Sequence, residues 1–203
     1  MKIAVIGASG SVGSRIVAEA LAREHEVTGV ARRPERLSPA PRLQPVAGDI
    51  ANMTELGARL SGHVVVVSSV RFIDYDISNL LTALEIAGNP RLVMVGGAGS
   101  LLTASGTALS EAPTFPEAVK PEAKAGAEKL AALRAQTKVD WSFLSPSALF
   151  APGERTGKFR VGGDQLLVDG TGKSWISQED FAIALLNEIE TPKHSRQRFT
   201  VGY

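Results

Sequence analysis

The chain has 203 residues, with 22 Lys and Arg against 21 Asp and Glu, a formal net charge of +1 and no cysteine. This balance provides no global field to attract nucleic acid or an anionic membrane, and the missing cysteines exclude disulfides and thiol chemistry. No apolar stretch approaches the roughly 18 residues that span a bilayer, and Lys2 leads into a short strand rather than a signal-peptide pattern. The expectation is therefore one cytoplasmic domain over residues 1–203 with no membrane partner.

The chain opens with a strand at 2–7, Lys2-Ile-Ala-Val-Ile-Gly7, which runs into Gly7-Ala-Ser-Gly10-Ser-Val-Gly13. An amphipathic helix follows, with Val12, Ile16, Val17, Ala20 and Leu21 on one face at the 3.6-residue period. Strand, glycine turn and helix form a cradle for a dinucleotide pyrophosphate. The glycines permit close backbone approach, and the helix N-terminus directs free N–H groups at negative charge. Gly7, Ser9, Gly10, Ser11, Val12 and Gly13 are the candidates, although their GxxGxxG spacing differs from the usual GxGxxG.

A second strand at 26–31 ends in Ala31-Arg32-Arg33-Pro34, where an NAD-binding chain normally presents a carboxylate to the ribose 2′-hydroxyl. Two guanidiniums instead suit a 2′-phosphate, so the expected cofactor is NADP(H) in preference to NAD(H). After a third strand at 43–47 comes Gly48-Asp49-Ile50. Asp49 either accepts from an adenine amino group or caps the following turn, with Ile50 beside it. Asn52-x-x-Glu55 opens a short helix as a capping box. Asn52-Met-Thr54 also matches a glycosylation acceptor, which is read as coincidence.

A fourth strand at 63–68 is a continuous β-branched run, the pattern of a central buried strand. It leads into Ser68-Ser69-Val70. Ile77, Leu80, Leu81 and Leu84 stripe the next helix, and Gly88-Asn-Pro90 stops it. A fifth strand at 91–96 ends in Gly96-Gly97-Ala-Gly99-Ser100. Ligands of open α/β sheets lie beyond the carboxyl ends of the strands, so Ser68, Ser69, Val70, Gly96 and Gly97 are expected to border the nicotinamide and its ribose. An Ala-rich helix over 117–136 uses Val119, Ala123, Ala127 and Leu130 against the sheet.

A sixth strand at 140–145 delivers Ser145-Pro146-Ser147, expected against the nicotinamide. Beyond it the segment from Phe150 to Gly163, with Arg155, Lys158 and Arg160, reads either as a mobile lid over an anionic or aromatic substrate or as a surface excursion. A short strand is expected at 164–169. Ser177-x-x-Asp180 then caps a last helix through Ile189, and 197–201 forms a final strand. The alternation predicts a single α/β, Rossmann-type, doubly wound and mostly parallel sheet with helices on both faces. Residues 145–203 would supply the substrate side.

Gly7-Ala-Ser-Gly-Ser-Val-Gly13, Ala31-Arg-Arg-Pro34, Gly48-Asp49, Val95-Gly-Gly-Ala-Gly-Ser100 and Leu144-Ser-Pro-Ser147 together resemble the atypical short-chain dehydrogenase/reductases. Within these the chain is most similar to small NAD(P)H-binding proteins named as NADH-flavin reductases, which resemble biliverdin-IXβ reductase. Members of the wider family use a Tyr-x-x-x-Lys pair for proton transfer. Here Lys124 stands where such a lysine falls, but Lys120 occupies the tyrosine position. Lys124 either reaches the ribose or is an exposed helix lysine, and Ser100 is by analogy a hydrogen-bond donor to substrate. The resemblance implies hydride transfer from NADPH to a small-molecule acceptor, a flavin, quinone or similar conjugated ring.

Two other readings stay open: a non-catalytic dinucleotide sensor of the NmrA-like kind, and a sugar-nucleotide epimerase. His25, His63 and His194 show no metal-ligand spacing, and no metal is expected. His25 and His194 read as surface residues and His63 as a satisfied histidine at the edge of the core. No G-x-S-x-G elbow or Walker lysine occurs. The oligomeric state is not readable.

Overall fold

A computed structural model describes all of residues 1–203. Eight strands form one sheet in the order β3-β2-β1-β4-β5-β6-β10-β8: β1 (Lys2–Ile6), β2 (Glu26–Ala31), β3 (Leu43–Ala47), β4 (Val65–Ser68), β5 (Arg91–Val95), β6 (Trp141–Ser145), β8 (Arg160–Gly162) and β10 (Gln197–Gly202). All neighbours are parallel except β8, which runs antiparallel to β10. Two three-residue strands, β7 (Leu149–Ala151) and β9 (Trp175–Ser177), pair separately in parallel. The strand order reverses at β1 and β4, which makes their carboxyl ends the crevice of a doubly wound sheet.

Successive side chains of a strand face opposite ways, and each face here has its own core. Ile3, Val5, Val65, Val67, Val93 and Leu144 pack on one side against α1 (Ser11–Ala22) and α5 (Gln178–Glu190). Ala4, Ile6, Val66, Leu92, Met94, Trp141 and Phe143 pack on the other. There they meet α2 (Met53–Leu60), α3 (Ile77–Ile86) and α4 (Lys120–Ala135). Pro45, which has no N–H to give, sits in β3 at the sheet edge, where strand prolines are tolerated.

Several helix starts follow the capping chemistry visible in the sequence. The Asn52 side chain accepts from Glu55 N, and that of Ser177 accepts from Asp180 N at 3.0 Å. The Ala-rich helix begins later than its composition implies. Residues 117–119 form a 3-10 turn, Pro121 sits in the first helical turn, and Val119 is exposed.

The expected strand at 164–169 reduces to a single parallel bridge between Gln165 and Leu102. Asp164 turns its carboxylate to Arg198, and Asp169 Oδ1 collects the amides of Thr171 and Lys173, so the chain loops instead of extending.

The lid reading of Phe150–Gly163 is corrected as well, because this segment is pinned to α1 and α5. Arg155 donates to both oxygens of Glu19 at 2.9 and 3.0 Å. Gly153 N donates to Glu179 and Gly157 N to Asp180, each at 2.8 Å.

Two histidines are not surface groups. His25 is buried between the N-terminal amine and Glu190, and the His194 ring stacks on Phe199 at 4.0 Å. His63 is held as expected. Its Nδ1 faces the Leu60 carbonyl at 2.9 Å and must donate, so Nε2 accepts from the Thr28 hydroxyl at 2.7 Å. Burial pushes its pKa below the ordinary value and keeps the ring neutral.

Candidate functional site

The glycine turn lies at the strand-order reversal. Gly7 has φ +82°, a left-handed conformation that side chains rarely adopt, and a Cβ there would stand 2.3 Å from the Ser69 carbonyl oxygen. Gly7 N and Ala8 N both donate to Val30 O, and Ser69 N donates to Ile6 O, so β2 and β4 clamp the turn from either side. A Cβ on Gly13 would lie 2.1 Å from Gly7 O, so α1 can sit this close to the turn only with glycine there. At Gly10 a Cβ would meet only Gly7 O, at 3.2 Å, and otherwise project into open space.

Helix α1 starts with Gly10 as N-cap, without a capping side chain and without a carboxylate in its first turn. Its first amides therefore have no intrahelical acceptor, and the positive end of the helix dipole is not neutralised. Ser11 is tied down, its hydroxyl donating to Gln178 Oε1 at 2.7 Å. Val12 packs its side chain against the core, which leaves only its main-chain amide facing the turn.

A cavity of about 350 Å³ opens beside this turn. Its wall brings together Gly7, Ser9, Gly10, Arg32, Asp49, Ile50, Ser69 and Val70. Asp49 caps the following turn, its Oδ1 accepting from Ala51 N at 3.0 Å, and it also lines the wall. Arg32 and Arg33 are exposed, and neither belongs to any ion pair of the chain. Arg33 stands just outside the wall.

Arg71, Asp74 and Tyr75 also line this cavity, and no sequence motif announces them. Burial raises the pKa of Tyr75 far above its ordinary value. The Lys129 ammonium lies over its ring, 4.7 Å from the centroid. Lys129 is thus the buried lysine of α4. Of the two readings of Lys124 the structure shows the exposed helix lysine: it is 81% exposed beside Glu128 and lines neither cavity.

The glycine cradle, the uncapped helix start and the unpaired guanidinium fit a phosphate-rich dinucleotide. Gly10 is the position most open to it, because its missing Cβ leaves room where a pyrophosphate would meet the amides of α1.

A second cavity, of about 650 Å³, lies beyond the carboxyl ends of β5 and β6. Gly96, Gly97, Ser100 and Pro146 are in its wall, with Phe72, Phe115, Val119, Phe150, Ala123 and Ala127. The segment 69–72 separates the two cavities, with Ser69, Val70 and Arg71 facing the smaller and Phe72 the larger. The nicotinamide-side candidates are thus divided between the two. Ser68 and Ser145 join neither wall; both are buried and their hydroxyls have no partner. Gly96 is required by packing, since a Cβ there would stand 2.4 Å from the Phe143 ring. Phe115 and Val119 come from the segment between β5 and α4. They escaped the sequence reading, although Phe115-Pro116 is an apolar island in a run rich in Ser, Thr, Gly and Pro.

The polar side chains of this wall are few and mostly committed. Ser147 Oγ donates to Val201 O at 2.9 Å, and the Glu122 carboxylate accepts from Phe72 N and Ile73 N. Thr114 is exposed. Ser100 Oγ accepts from the buried guanidinium of Arg198 at 3.1 Å. No tyrosine lines this cavity, because Tyr75 faces the smaller one and Tyr203 bonds Asp180 and Ser177.

A family described as NAD(P)H-binding matches residues 7–192. The uncharacterized Bacillus subtilis protein YwnB is 38% identical over 99% of this chain and 98% of its own length. A solved Bacteroides thetaiotaomicron structure, provisionally named an epimerase, is 41% identical with a TM-score of 0.93, covering 100% of this chain and 96% of that one. Another, from Streptococcus pneumoniae and provisionally named an NADH-flavin reductase, is 34% identical with a TM-score of 0.80, covering 100% and 99%. No helix is long and apolar enough to cross a membrane.

Proposed function

We propose, from the premise that the chain belongs to the NAD(P)H-binding family, that it is an NADPH-dependent oxidoreductase acting on a flavin, quinone or similar conjugated acceptor. The observation that carries this reading is the pairing of a glycine-and-guanidinium cradle with an adjoining apolar cavity that no tyrosine lines. Gly7, Ser9, Gly10, Ser11, Val12 and Gly13 would hold the pyrophosphate. Asp49 and Ile50 would border the adenine, with Ser69 and Val70 beside the ribose. Gly96, Gly97 and Pro146 would form the floor under the nicotinamide. When bound, the reduced nicotinamide supplies a hydride. The protein's part is to orient the two rings and exclude water. A conjugated acceptor delocalises the incoming charge and takes its proton from solvent, so the absent tyrosine is no obstacle.

The test is NADPH oxidation by purified protein with riboflavin, FMN and menadione. Turnover with at least one is expected; tight NADPH binding with none oxidised overturns the enzyme reading. The missing tyrosine equally favours a second reading, a dinucleotide sensor. Recovery of a protein partner that discriminates the NADPH-loaded from the NADP⁺-loaded form would mark that outcome.

Cofactor preference rests on Arg32 and Arg33. A charge-assisted hydrogen bond contributes about 1.5–3 kcal/mol, equivalent to roughly 10–100-fold in affinity. The Arg32→Ala, Arg33→Ala double variant is therefore expected to lose that factor for NADPH while NADH affinity stays within about twofold. Equal losses for both cofactors, read by calorimetry, would remove the 2′-phosphate assignment.

A further inference from the structure

Ser100 is a half-buried serine in the wall of the larger cavity, and the group behind it decides what its hydroxyl can do. Arg198, on β10, is 4% exposed, and its Nη1 lies 3.1 Å from Ser100 Oγ. A guanidinium has only donors, so Ser100 Oγ must be the acceptor in this contact. Its own proton is then directed elsewhere, and no protein acceptor bonds it. The cavity is the remaining direction.

Arg198 is itself fixed. Its Nε donates to Asp164 Oδ1 at 2.5 Å, and Nη2 bonds the same oxygen. Arg134 adds a second cation 3.5 Å from that oxygen. The backbone around Ser100 is equally laced. Leu102 N donates to Asp164 O and Leu166 N to Leu102 O, while Ser110 N bonds Gly99 O and Leu101 N bonds Ala98 O.

We propose that Asp164 and Arg198 form a brace that polarises the Ser100 hydroxyl, the substrate donor that the family resemblance already implies, and aims it into the acceptor cavity, with Arg198 the positioning residue. The role of Ser100 in turnover rests on the reductase reading, whereas the orientation of its hydroxyl does not. In that reaction the acceptor gains a hydride from a dihydronicotinamide, which is oxidised. The electron pair arrives as negative charge on a carbonyl oxygen or ring nitrogen of the acceptor. Ser100 O–H donates to that atom, the cation behind it strengthens the donation, and water supplies the proton that completes reduction.

Because the chain contains no cysteine, Ser100→Cys places a single thiol in the molecule, whose titration is read by thiolate absorbance and by the pH dependence of iodoacetamide alkylation. Beside a guanidinium the thiol is expected to titrate about one unit or more below the ordinary 8.5. Alkylation at pH 7 should then be roughly tenfold faster than for an unperturbed thiol. Adding Arg198→Met should return the value to 8.5 or above, Arg198→Lys should keep it depressed, and Asp164→Asn should depress it further. A thiol at its ordinary value with Arg198 intact, or one indifferent to Arg198, overturns the brace without reference to turnover.

If the protein reduces an acceptor, Arg198→Met and Ser100→Ala should each lower kcat with little change in NADPH affinity. Their double variant should be no worse than Ser100→Ala alone. Additive losses would mean that Arg198 acts on something other than Ser100. A protein with the depressed thiol but no turnover would keep the brace and lose the reductase reading.

Discussion

Gly13→Ala is expected to abolish dinucleotide binding and to destabilise the fold, whereas Gly10→Ala should impair binding while leaving the fold nearly intact. The two positions differ in what a methyl group would meet. At Gly13 the added carbon would lie 2.1 Å from Gly7 O, 2.9 Å from Gly7 C and 3.1 Å from Ala8 Cα, all of them backbone. Backbone cannot rotate away, so α1 must lift from the turn or the turn must unwind. Overpacking of this kind costs about 1–3 kcal/mol and occasionally more, and this contact belongs at the upper end. At Gly10 the sole neighbour is Gly7 O at 3.2 Å, and the backbone there (φ −76°, ψ 168°) is ordinary extended chain. Its fold cost should stay below about 1 kcal/mol, the scale of exchanging helix N-cap residues. The methyl would nevertheless occupy the space through which a phosphate approaches the first amides of α1, lowering NADPH affinity by roughly tenfold or more. Thermal melts paired with NADPH calorimetry separate the two effects. A Gly10→Ala protein that binds NADPH as tightly as the parent would place the dinucleotide elsewhere.

The cradle was legible in the sequence because it is contiguous. Residues 2–13 contain a strand, its glycine turn and the first turns of a helix, and Arg32 and Asp49 each follow a recognisable strand. The central strands were equally plain, since Val65, Val66 and Val67 can only be a run buried on both faces. What stayed hidden depends on partners far apart in the chain. Arg155 belongs to Glu19, 136 positions away, so the apparent lid is a strap. Ser100 is answered by Arg198, 98 positions on, and only the sheet order places β10 beside β6. The strands β7, β8 and β9 have three residues each, too few for alternation to register. The larger cavity was missed for a related reason: Val119, Ala123 and Ala127 share a helical stripe, but that stripe faces the cavity instead of the sheet. Periodicity reports that a face is apolar and says nothing of what it faces.

Glu188→Ala should cost about 3–5 kcal/mol of stability, the range for removing one member of a buried ion pair, with no effect on NADPH affinity. Glu188 is 3% exposed on α5, and its Oε1 receives Arg91 Nη2 at 2.5 Å and Ser142 Oγ at 3.0 Å. His194 Nδ1 reaches Oε2 at 2.7 Å, and the amides of Lys193 and His194 complete the ring of donors. Through this carboxylate the starts of β5 and β6 are stapled to α5 and to the approach to β10, at the end of the sheet opposite both cavities. Truncation would leave the Arg91 guanidinium, 11% exposed, with the half-exposed Asp140 at 3.4 Å as its one remaining carboxylate, beside the neutral Glu188 carbonyl and Ser142 hydroxyl. In a domain of this size the melting temperature should fall by on the order of 10 °C.

The same carboxylate makes stability pH-dependent. Burial alone would raise its pKa, but the hydrogen bonds from His194, the Lys193 amide and Arg91 outweigh burial and hold it below the ordinary value. Glu19, Glu179 and Glu190 are shifted the same way: burial opposes, while Arg155 and Arg23 at Glu19, Arg15 at Glu179, and His25 and Arg23 at Glu190 prevail. A depressed folded-state pKa means that the unfolded chain binds protons first as pH falls. Its contribution is therefore complete above about pH 4.3, the unfolded Glu value, and is lost as pH drops through the folded pKa. Stability to urea should be insensitive to these groups from pH 8 to about 5 and fall steeply below about 4. Glu188→Gln should flatten part of that slope while lowering the neutral-pH plateau. An unchanged acid slope in Glu188→Gln would show that the other carboxylates carry the acid sensitivity without it.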